Sequence, residues 1–180
     1  MLFMPTTIEG VMVVQSEALS DARGHFARVF CAEEFASAGL EPTNVQMAMS
    51  HNFEKSTLRG LHFIPESEGE AKLVRCIAGA LFDVAVDFRP LSPTFGTWTS
   101  VELSAGDLCA LYIPRGCGHG FMTLSPNTDV LYQFSEFHRP GVEKGIRWDD
   151  PGLAITWPTA PAVMSERDRA LPLMSQVFWA

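Results

Sequence analysis

The sequence predicts an all-β protein, an antiparallel sandwich or barrel of the jelly-roll type with a few short helices. Many short segments alternate apolar and polar residues with the period of two that is typical of strands. Turns rich in glycine and proline separate these segments, and only two short stretches favour a helix. Consecutive strand signals without intervening helical patterns indicate antiparallel pairing rather than alternating β and α units.

Length and composition predict one domain that spans residues 1–180, because a chain with 47% hydrophobic residues forms one sizeable core but not two. The net charge of −8 argues against a surface that binds nucleic acid or a membrane. The N-terminus resembles no signal peptide, and no apolar run reaches the length of a membrane span, so a cytoplasmic location is expected. The four cysteines lack CxxC spacing and are expected to be free thiols.

The N-terminal third combines strand signals with one helix. Residues 7–16 predict a pair of short strands, and the Asp- and Gly-containing turn at residues 21–24 leads into an alternating strand at residues 25–30. Residues 32–39 predict a helix that ends at its final glycine, because glycine readily adopts the left-handed conformation that follows many helices. Residues 46–50 predict another strand.

The rest of the chain continues the strand pattern. Further strands are predicted at residues 72–76, 81–89, 96–104, 109–114 and 130–135. A glycine turn is expected at residues 115–118, before the segment that begins with His119. Residues 139–161 are rich in Pro, Gly and Trp without strong periodicity, and residues 165–170 predict a final helical turn.

The stretch from Leu58 to Arg89 concentrates cationic and titratable groups on predicted strands. Strict alternation from Arg59 sends His62 to the opposite face, but a bulge at Gly60 would turn both side chains into one cavity. A histidine alone is commonly a satisfied core residue or a surface ring. Beside Arg59 and Lys72 a functional role is favoured, because burying cations without an anionic partner is costly.

Other candidate residues near strand ends have ordinary structural interpretations when each is taken alone. Tyr132 reads as a core aromatic, Asp168 as a solvated charge or helix cap, and His119 as the cap of a turn. A metal site is disfavoured because the chain has no HxH pair followed closely by Glu. Serine-nucleophile chemistry is also disfavoured, since no GxSxG motif occurs.

An ordered set of motifs over nearly the whole chain resembles the dTDP-4-dehydrorhamnose 3,5-epimerase family. The motifs are Arg23-Gly24-x-Phe26, Leu58-Arg-Gly-Leu-His-Phe63, Lys72-Leu-Val-Arg, Phe82-Asp-Val-Ala-Val-Asp, Ser92-Pro-Thr-Phe-Gly96, Ile113-Pro, His119-Gly-Phe121, Trp148-Asp-Asp-Pro151, Ile155-x-Trp-Pro158 and Ser165-x-x-Asp168. One such motif carries little information, but the ordered set is specific.

The resemblance implies a metal-free, cupin-like jelly roll without a cofactor, usually a homodimer that exchanges edge strands. Its substrate would be a nucleotide-diphosphate sugar with a 4-keto-6-deoxy ring. The resemblance makes His62 the general base, Asp168 the group that orients it, Tyr132 the general acid and Lys72 the cation beside the ketone oxygen. Positions that contact the nucleotide, diphosphate or sugar in this family correspond to Arg23, Gln46, Arg59, Lys72, His119, Glu143 and Arg167.

The reaction explains these residue types. A proton next to a ketone leaves readily only if the developing enolate is stabilised, so a cation such as Lys72 is needed beside the base. Inversion requires that a proton return to the other face of the ring, as His62 and Tyr132 could arrange from separate strands. A diphosphate on an acidic protein needs guanidinium groups, and Arg59 and Arg23 fit that requirement.

Three positions depart from the family pattern. Ala48 replaces an amide side chain, Arg28 replaces a glutamate, and His138 stands where tyrosine is common. The nucleotide, the sugar and the number of inverted centres therefore stay open. The alternatives are an enzyme that inverts only C3 of a non-thymidine nucleotide sugar, a non-catalytic binding protein and a metal-dependent cupin.

Overall fold

The computed structural model describes residues 1–178, which form strands joined by turns and a few short helices. The strands are β1 (Leu2–Pro5), β2 (Met12–Gln15), β3 (Ala18–Asp21), β4 (Gly24–Ala27), β5 (Gln46–Asn52), β6 (Leu58–Phe63), β7 (Lys72–Ala78), β8 (Ala80–Asp87), β9 (Trp98–Ser104), β10 (Cys109–Ile113), β11 (Cys117–Thr123), β12 (Thr128–Phe134) and β13 (Lys144–Gly145). The α-helices are α1 (Ala32–Ser37), α2 (Glu166–Arg169) and α3 (Met174–Phe178), and Glu66–Glu68 forms a 3₁₀ turn.

These strands form two facing sheets and a separate hairpin. The larger sheet has the order β1-β2-β10-β7-β12-β5, and the smaller has the order β13-β6-β11-β8-β9. Strands β3 and β4 pair only with each other. Every pairing between these strands is antiparallel, which confirms the predicted fold class.

The space between the sheets is apolar over much of its length. Val74, Leu111 and Val130 of the larger sheet pack against Ala85 and Phe121 of the smaller one, and all five side chains are almost fully buried. Burying each large apolar side chain contributes roughly 1.5–3 kcal/mol, so this cluster is the main support of the sandwich.

The outer faces of both sheets are also covered. Phe35 of α1 packs over Leu73 and Tyr112 on the larger sheet, while Leu153 and Met174 cover the smaller one. The central strands β7 and β8 are therefore largely buried on both faces.

Helix α1 forms where the sequence predicts it and ends by a glycine motif. Gly39 adopts φ +73°, and its N–H donates to the carbonyl of Ala36 at 3.0 Å. The next N–H, of Leu40, donates to the carbonyl of Phe35 at 2.9 Å, which completes a Schellman arrangement.

The two ends of the chain differ from the sequence prediction. Only the second of the two strands predicted at residues 7–16 forms, as β2, and it pairs with β10 and with β1, which the pattern did not reveal. Ile8 instead lies in a turn, where its carbonyl accepts from the N–H of Val11 and its side chain enters the core. The short helix α3 was also not predicted.

The predicted bulge at Gly60 is present. His62 lies opposite His119, but Arg59 lies opposite Phe121, so the register of β6 and β11 shifts between these pairs. Gly60 has φ +112°, and a Cβ there would lie 2.7 Å from the Cα of Gly120 and from the carbonyl oxygen of His119. Only glycine fits this close backbone approach without displacement.

Replacement of Gly60 by alanine should therefore destabilise the protein strongly. Gly106→Ala is the matched control, because Gly106 also has a positive φ, of +99°, but has open space where its Cβ would stand. We expect Gly60→Ala to lower the free energy of unfolding by at least about 2 kcal/mol more than Gly106→Ala, measured by urea denaturation. Equal losses would show that the close approach to β11 is not limiting.

Candidate active site

One end of the sandwich interior opens into a polar cavity of about 410 Å³. Both sheets contribute side chains to it, and so do the segment that follows β12 and the helix α2. Its lining residues are Gln46, Ala48, Met49, Ser50, Arg59, His62, Glu70, Lys72, His119, Phe121, Tyr132, Phe134, His138, Glu143 and Arg167. Eight of the ten residues that the sequence analysis selected line this cavity, and Asp168 lies directly behind one of them.

His62 is held by a buried carboxylate. Its Nε2 lies 2.7 Å from Oδ1 of Asp168, and the other carboxylate oxygen accepts from the N–H of Gly60 at 3.2 Å. Asp168 is fixed in turn at the start of α2, where its N–H donates to the Oγ of the capping residue Ser165 at 3.0 Å. Burial favours the neutral acid, but the hydrogen bond and charge of His62 outweigh it and lower the pKa of Asp168. Because Nε2 is bonded to Asp168, Nδ1 is the ring nitrogen of His62 that remains available to a ligand.

His119 is held in the same manner by Asp83, 36 residues earlier in the chain. Its Nε2 lies 2.6 Å from Oδ1 of Asp83, whose side chain is fully buried. Burial raises the pKa of Asp83, and the hydrogen bond and charge of His119 oppose that rise. The cavity thus contains two histidines, each oriented by a carboxylate.

Tyr132 enters the cavity from β12, on the sheet opposite His62. Its ring packs edge-on against His119 and stacks on Phe134, with centroid separations of 5.8 Å in both cases. Burial, and then the charge of Asp83, raise the pKa of Tyr132 well above its usual value. Its hydroxyl therefore stays protonated at neutral pH and can donate a proton.

Two cations lie among these groups. The Nζ of Lys72 is 5.9 Å from the ring centroid of Phe134 and 3.5 Å from Oε1 of Glu70. The Nε of Arg59 donates to Oδ1 of Asn52 at 2.9 Å, which fixes the guanidinium at the cavity wall. Arg59 forms no ion pair with another residue of the described chain, so its charge is available to an anionic ligand.

The rim of the cavity is more exposed. Arg167 pairs with Glu143 at 2.5 Å. The side-chain carbonyl of Gln46 accepts from the N–H of His138 at 3.0 Å. Surface ion pairs of this kind contribute at most about 1 kcal/mol, so an incoming anion can take over the Arg167 guanidinium.

Arg23 does not reach this cavity within one chain. It lies at the turn of the β3–β4 hairpin, where its side chain is 90% exposed and pairs with Asp21 at 2.6 Å. The hairpin belongs to neither large sheet, which is why Arg23 lies apart from Arg59. Arg28, one of the departures from the family pattern, is likewise outside and pairs with Glu34 at 3.0 Å.

The structure adds residues that the sequence analysis did not select. Glu70 and Phe134 line the cavity two positions away from Lys72 and Tyr132 on their chain segments. The strand period of two, applied from Tyr132, would have identified Phe134, whereas Glu70 lies just before the strand that begins at Lys72. Asp83 was recognised as part of a strand, but its partner is set by the pairing of β8 with β11, which the sequence does not reveal.

Residues 1–178 contain no cluster of potential metal ligands and no helix able to span a membrane. No group of three or more His, Cys, Asp and Glu side chains in this part of the chain is placed to hold a metal ion. Among the same residues, no helix has the length and apolar character needed to cross a membrane.

The arrangement supports proton transfer next to a polarised carbonyl group. An imidazole backed by a carboxylate lies on one sheet, a protonated phenol on the other, and a lysine ammonium in the same cavity. Such a set can remove a proton from carbon, stabilise the resulting negative oxygen and return a proton from elsewhere.

Comparison with known proteins gives consistent matches. A family model described as dTDP-4-dehydrorhamnose 3,5-epimerase matches residues 5–176. The dTDP-4-dehydrorhamnose 3,5-epimerase of Sinorhizobium fredii (strain NBRC 101917 / NGR234) is 39% identical over 98% of this chain and 91% of its own length. A dTDP-4-dehydrorhamnose 3-epimerase of Streptomyces niveus is 36% identical over 98% of this chain and 85% of its own.

A solved structure of similar sequence also has a closely similar fold. The dTDP-6-deoxy-D-glucose-3,5-epimerase of Legionella pneumophila Philadelphia 1, in complex with dTDP-4-keto-L-rhamnose, superposes with a TM-score of 0.91. It is 36% identical to this chain, and the match covers 98% of this chain and 94% of that one.

The His62–Asp168 pair should be visible in the pH dependence of stability. Because the pKa of Asp168 in the folded state lies below its ordinary value of 3.8, its contribution is complete above that value and is lost as the pH falls through the folded pKa. We expect the free energy of unfolding of the wild type to fall more steeply below about pH 4 than that of Asp168→Asn. Urea denaturation between pH 6 and pH 3 measures this difference.

Asp149→Asn serves as the control, since Asp149 is an exposed aspartate outside the cavity. Parallel curves for the wild type and Asp168→Asn, with the control unchanged, would contradict a stabilising pair in solution.

Proposed function

The chain belongs to the dTDP-4-dehydrorhamnose 3,5-epimerase family, and we propose that it inverts C3, C5 or both in a nucleotide-linked 4-keto-6-deoxy sugar. It is thus a carbohydrate epimerase, an isomerase. The observation that carries the proposal is the placement of the His62–Asp168 pair and the Tyr132 hydroxyl on different sheets of one cavity that also holds Lys72.

In the proposed reaction, Nδ1 of His62 takes the proton from a carbon next to the ketone. The C–H electron pair forms a double bond between that carbon and C4, and the π electrons of the carbonyl group move to its oxygen. The Lys72 ammonium stabilises the negative oxygen of the resulting enolate. Asp168 holds the ring in orientation and stabilises the imidazolium that forms. The Tyr132 hydroxyl then gives its proton to the opposite face of the same carbon, which inverts the centre, and the cycle closes when the proton on His62 restores the phenol through solvent.

The nucleotide diphosphate would occupy the cationic part of the cavity. Arg59 pairs with no carboxylate in residues 1–178, so its guanidinium can bind the diphosphate. His119 and Arg167 line the same cavity. A relative of closely similar fold holds dTDP-4-keto-L-rhamnose, which supports a dTDP-linked sugar as the ligand here. Gln46 and Glu143 at the rim complete the proposed contacts.

Inversion of C3 alone is the second candidate. It is favoured by the 36% identity to a 3-epimerase, and the two activities need the same base, acid and cation. The positions Ala48 and His138, which depart from the family pattern, both line the cavity and so can affect how the nucleotide is held.

We further propose that the chain acts as one catalytic domain within a cytoplasmic homodimer. The edge strand β5 exposes Met47 and Met49, and the hairpin exposes Leu19 and Phe26, at 75% and 74%. Apolar side chains on unpaired edges and hairpins favour association, because they remove both apolar surface and free backbone groups from water. A second copy would also provide the route by which Arg23 reaches a cavity. The four free cysteines suit a reducing compartment.

Tyr132→Phe should separate proton removal from proton return. The variant keeps His62, Lys72 and nearly all of the packing, but it lacks the acid on the opposite face. With dTDP-4-keto-6-deoxyglucose in deuterium oxide, we expect continued exchange of hydrogen next to the ketone, while inversion falls at least about 100-fold. Proton NMR measures both, and the wild type provides the reference. Loss of exchange together with inversion would make Tyr132 a binding or structural residue, and inversion at the wild-type rate would assign the acid to another group.

Mixed dimers test the proposed role of Arg23. If the hairpin of one subunit serves the cavity of the other, Arg23→Ala and His62→Ala subunits are each inactive alone but form one intact site when paired. Co-expression should recover about a quarter of wild-type activity, because half of the dimers are mixed and each has one intact site. Light scattering establishes that the samples are dimeric. Activity no greater than the sum of the separate variants would place Arg23 outside the partner's site.

A further inference from the structure

We propose that Glu70 is a specificity-determining residue that accepts a hydrogen bond from the C3 hydroxyl of the substrate sugar, an inference that rests on the proposed epimerase function. Glu70 was not among the residues selected from the sequence, and the proton-transfer steps do not use it. Its side chain nevertheless lies on the wall of the cavity and is only 11% exposed.

The position of Glu70 links it to Lys72. Glu70 lies two residues before Lys72, which is the first residue of β7, and both side chains line the cavity. Oε1 of Glu70 lies 3.5 Å from Nζ of Lys72, and Lys72 is its only ion-pair partner in residues 1–178. Within that part of the chain no hydrogen bond reaches the Glu70 carboxylate, so it can accept one from a ligand.

The charge of Glu70 indicates which part of the substrate it meets. A carboxylate only accepts hydrogen bonds and repels phosphate oxygens, so it is unsuited to the diphosphate. Its partner must be a hydrogen-bond donor on the uncharged part of the ligand. In the 4-keto-6-deoxy sugar of such a ligand, these donors are the hydroxyl groups of the ring.

The chemistry beside the ketone narrows the choice to one hydroxyl. In the proposed mechanism Lys72 lies at the ketone oxygen on C4, whose neighbours are C3, which has a hydroxyl, and C5, which has a methyl group. A group beside Lys72 can therefore reach a donor only on the C3 side. Glu70 would hold the C3 hydroxyl while its charge keeps the Lys72 ammonium in place.

The test compares Glu70→Gln with the wild type on two substrates, dTDP-4-keto-6-deoxyglucose and its 3-deoxy analogue. We measure kcat/KM for uptake of solvent deuterium next to the ketone by proton NMR. Glu70→Gln should lower kcat/KM for the 3-hydroxy substrate about tenfold, because a charge-assisted hydrogen bond is replaced by a weaker neutral one, and should change it less than twofold for the 3-deoxy analogue.

Glu68→Gln is the matched control, because Glu68 is an exposed acidic residue outside the cavity, and both substrates should react with it at wild-type rates. Unchanged affinity of Glu70→Gln for dTDP would show that the nucleotide site is intact. An equal loss with both substrates would overturn the proposal, since Glu70 would then act only through Lys72 or the fold. A wild type that exchanges no hydrogen in either sugar would refute the epimerase function itself, and with it this role of Glu70.

Discussion

A sandwich that keeps ionisable side chains between its sheets must give each of them a partner, because an unpaired charge or polar group in such a place costs several kcal/mol. This constraint governs the cavity. His62 is bound to Asp168 and His119 to Asp83, with Nε2 to carboxylate distances of 2.7 and 2.6 Å. Each pair also fixes the orientation of its imidazole ring. The requirement for burial thus produces the fixed geometry that proton transfer needs.

The cavity and the core are two parts of the same interior. Along β7 the inward-facing positions pass from Lys72 in the cavity to Val74 and Cys76 in the core, and along β12 they pass from Tyr132 to Val130. The strands that carry Lys72 and Tyr132 are therefore held in place by the apolar cluster. This explains how a small sandwich positions groups from both of its sheets.

The residues inside the cavity are held more firmly by the fold than the residues at its rim. Tyr132 is flanked by aromatic rings, and His62 is tied to a carboxylate, so both are fixed by their surroundings. Arg167 and His138, by contrast, lie exposed at the rim, where substitutions disturb little of the core. Substitutions at this rim are therefore expected to alter ligand contacts with little effect on the orientation of His62 and Tyr132.

Most of the strands, the helix that Gly39 terminates and the bulge at Gly60 could be predicted from the sequence, because they depend on side-chain period and on backbone freedom that is local to a few residues. The sequence also identified most of the cavity residues, through motifs that lie on those strands. The sequence does not show that Asp83 meets His119, or that Arg23 stays outside the cavity of its own chain; the folded structure shows both. The physical reason is that periodicity states which face a side chain occupies, whereas the pairing of sheets and the direction of a hairpin decide which faces meet.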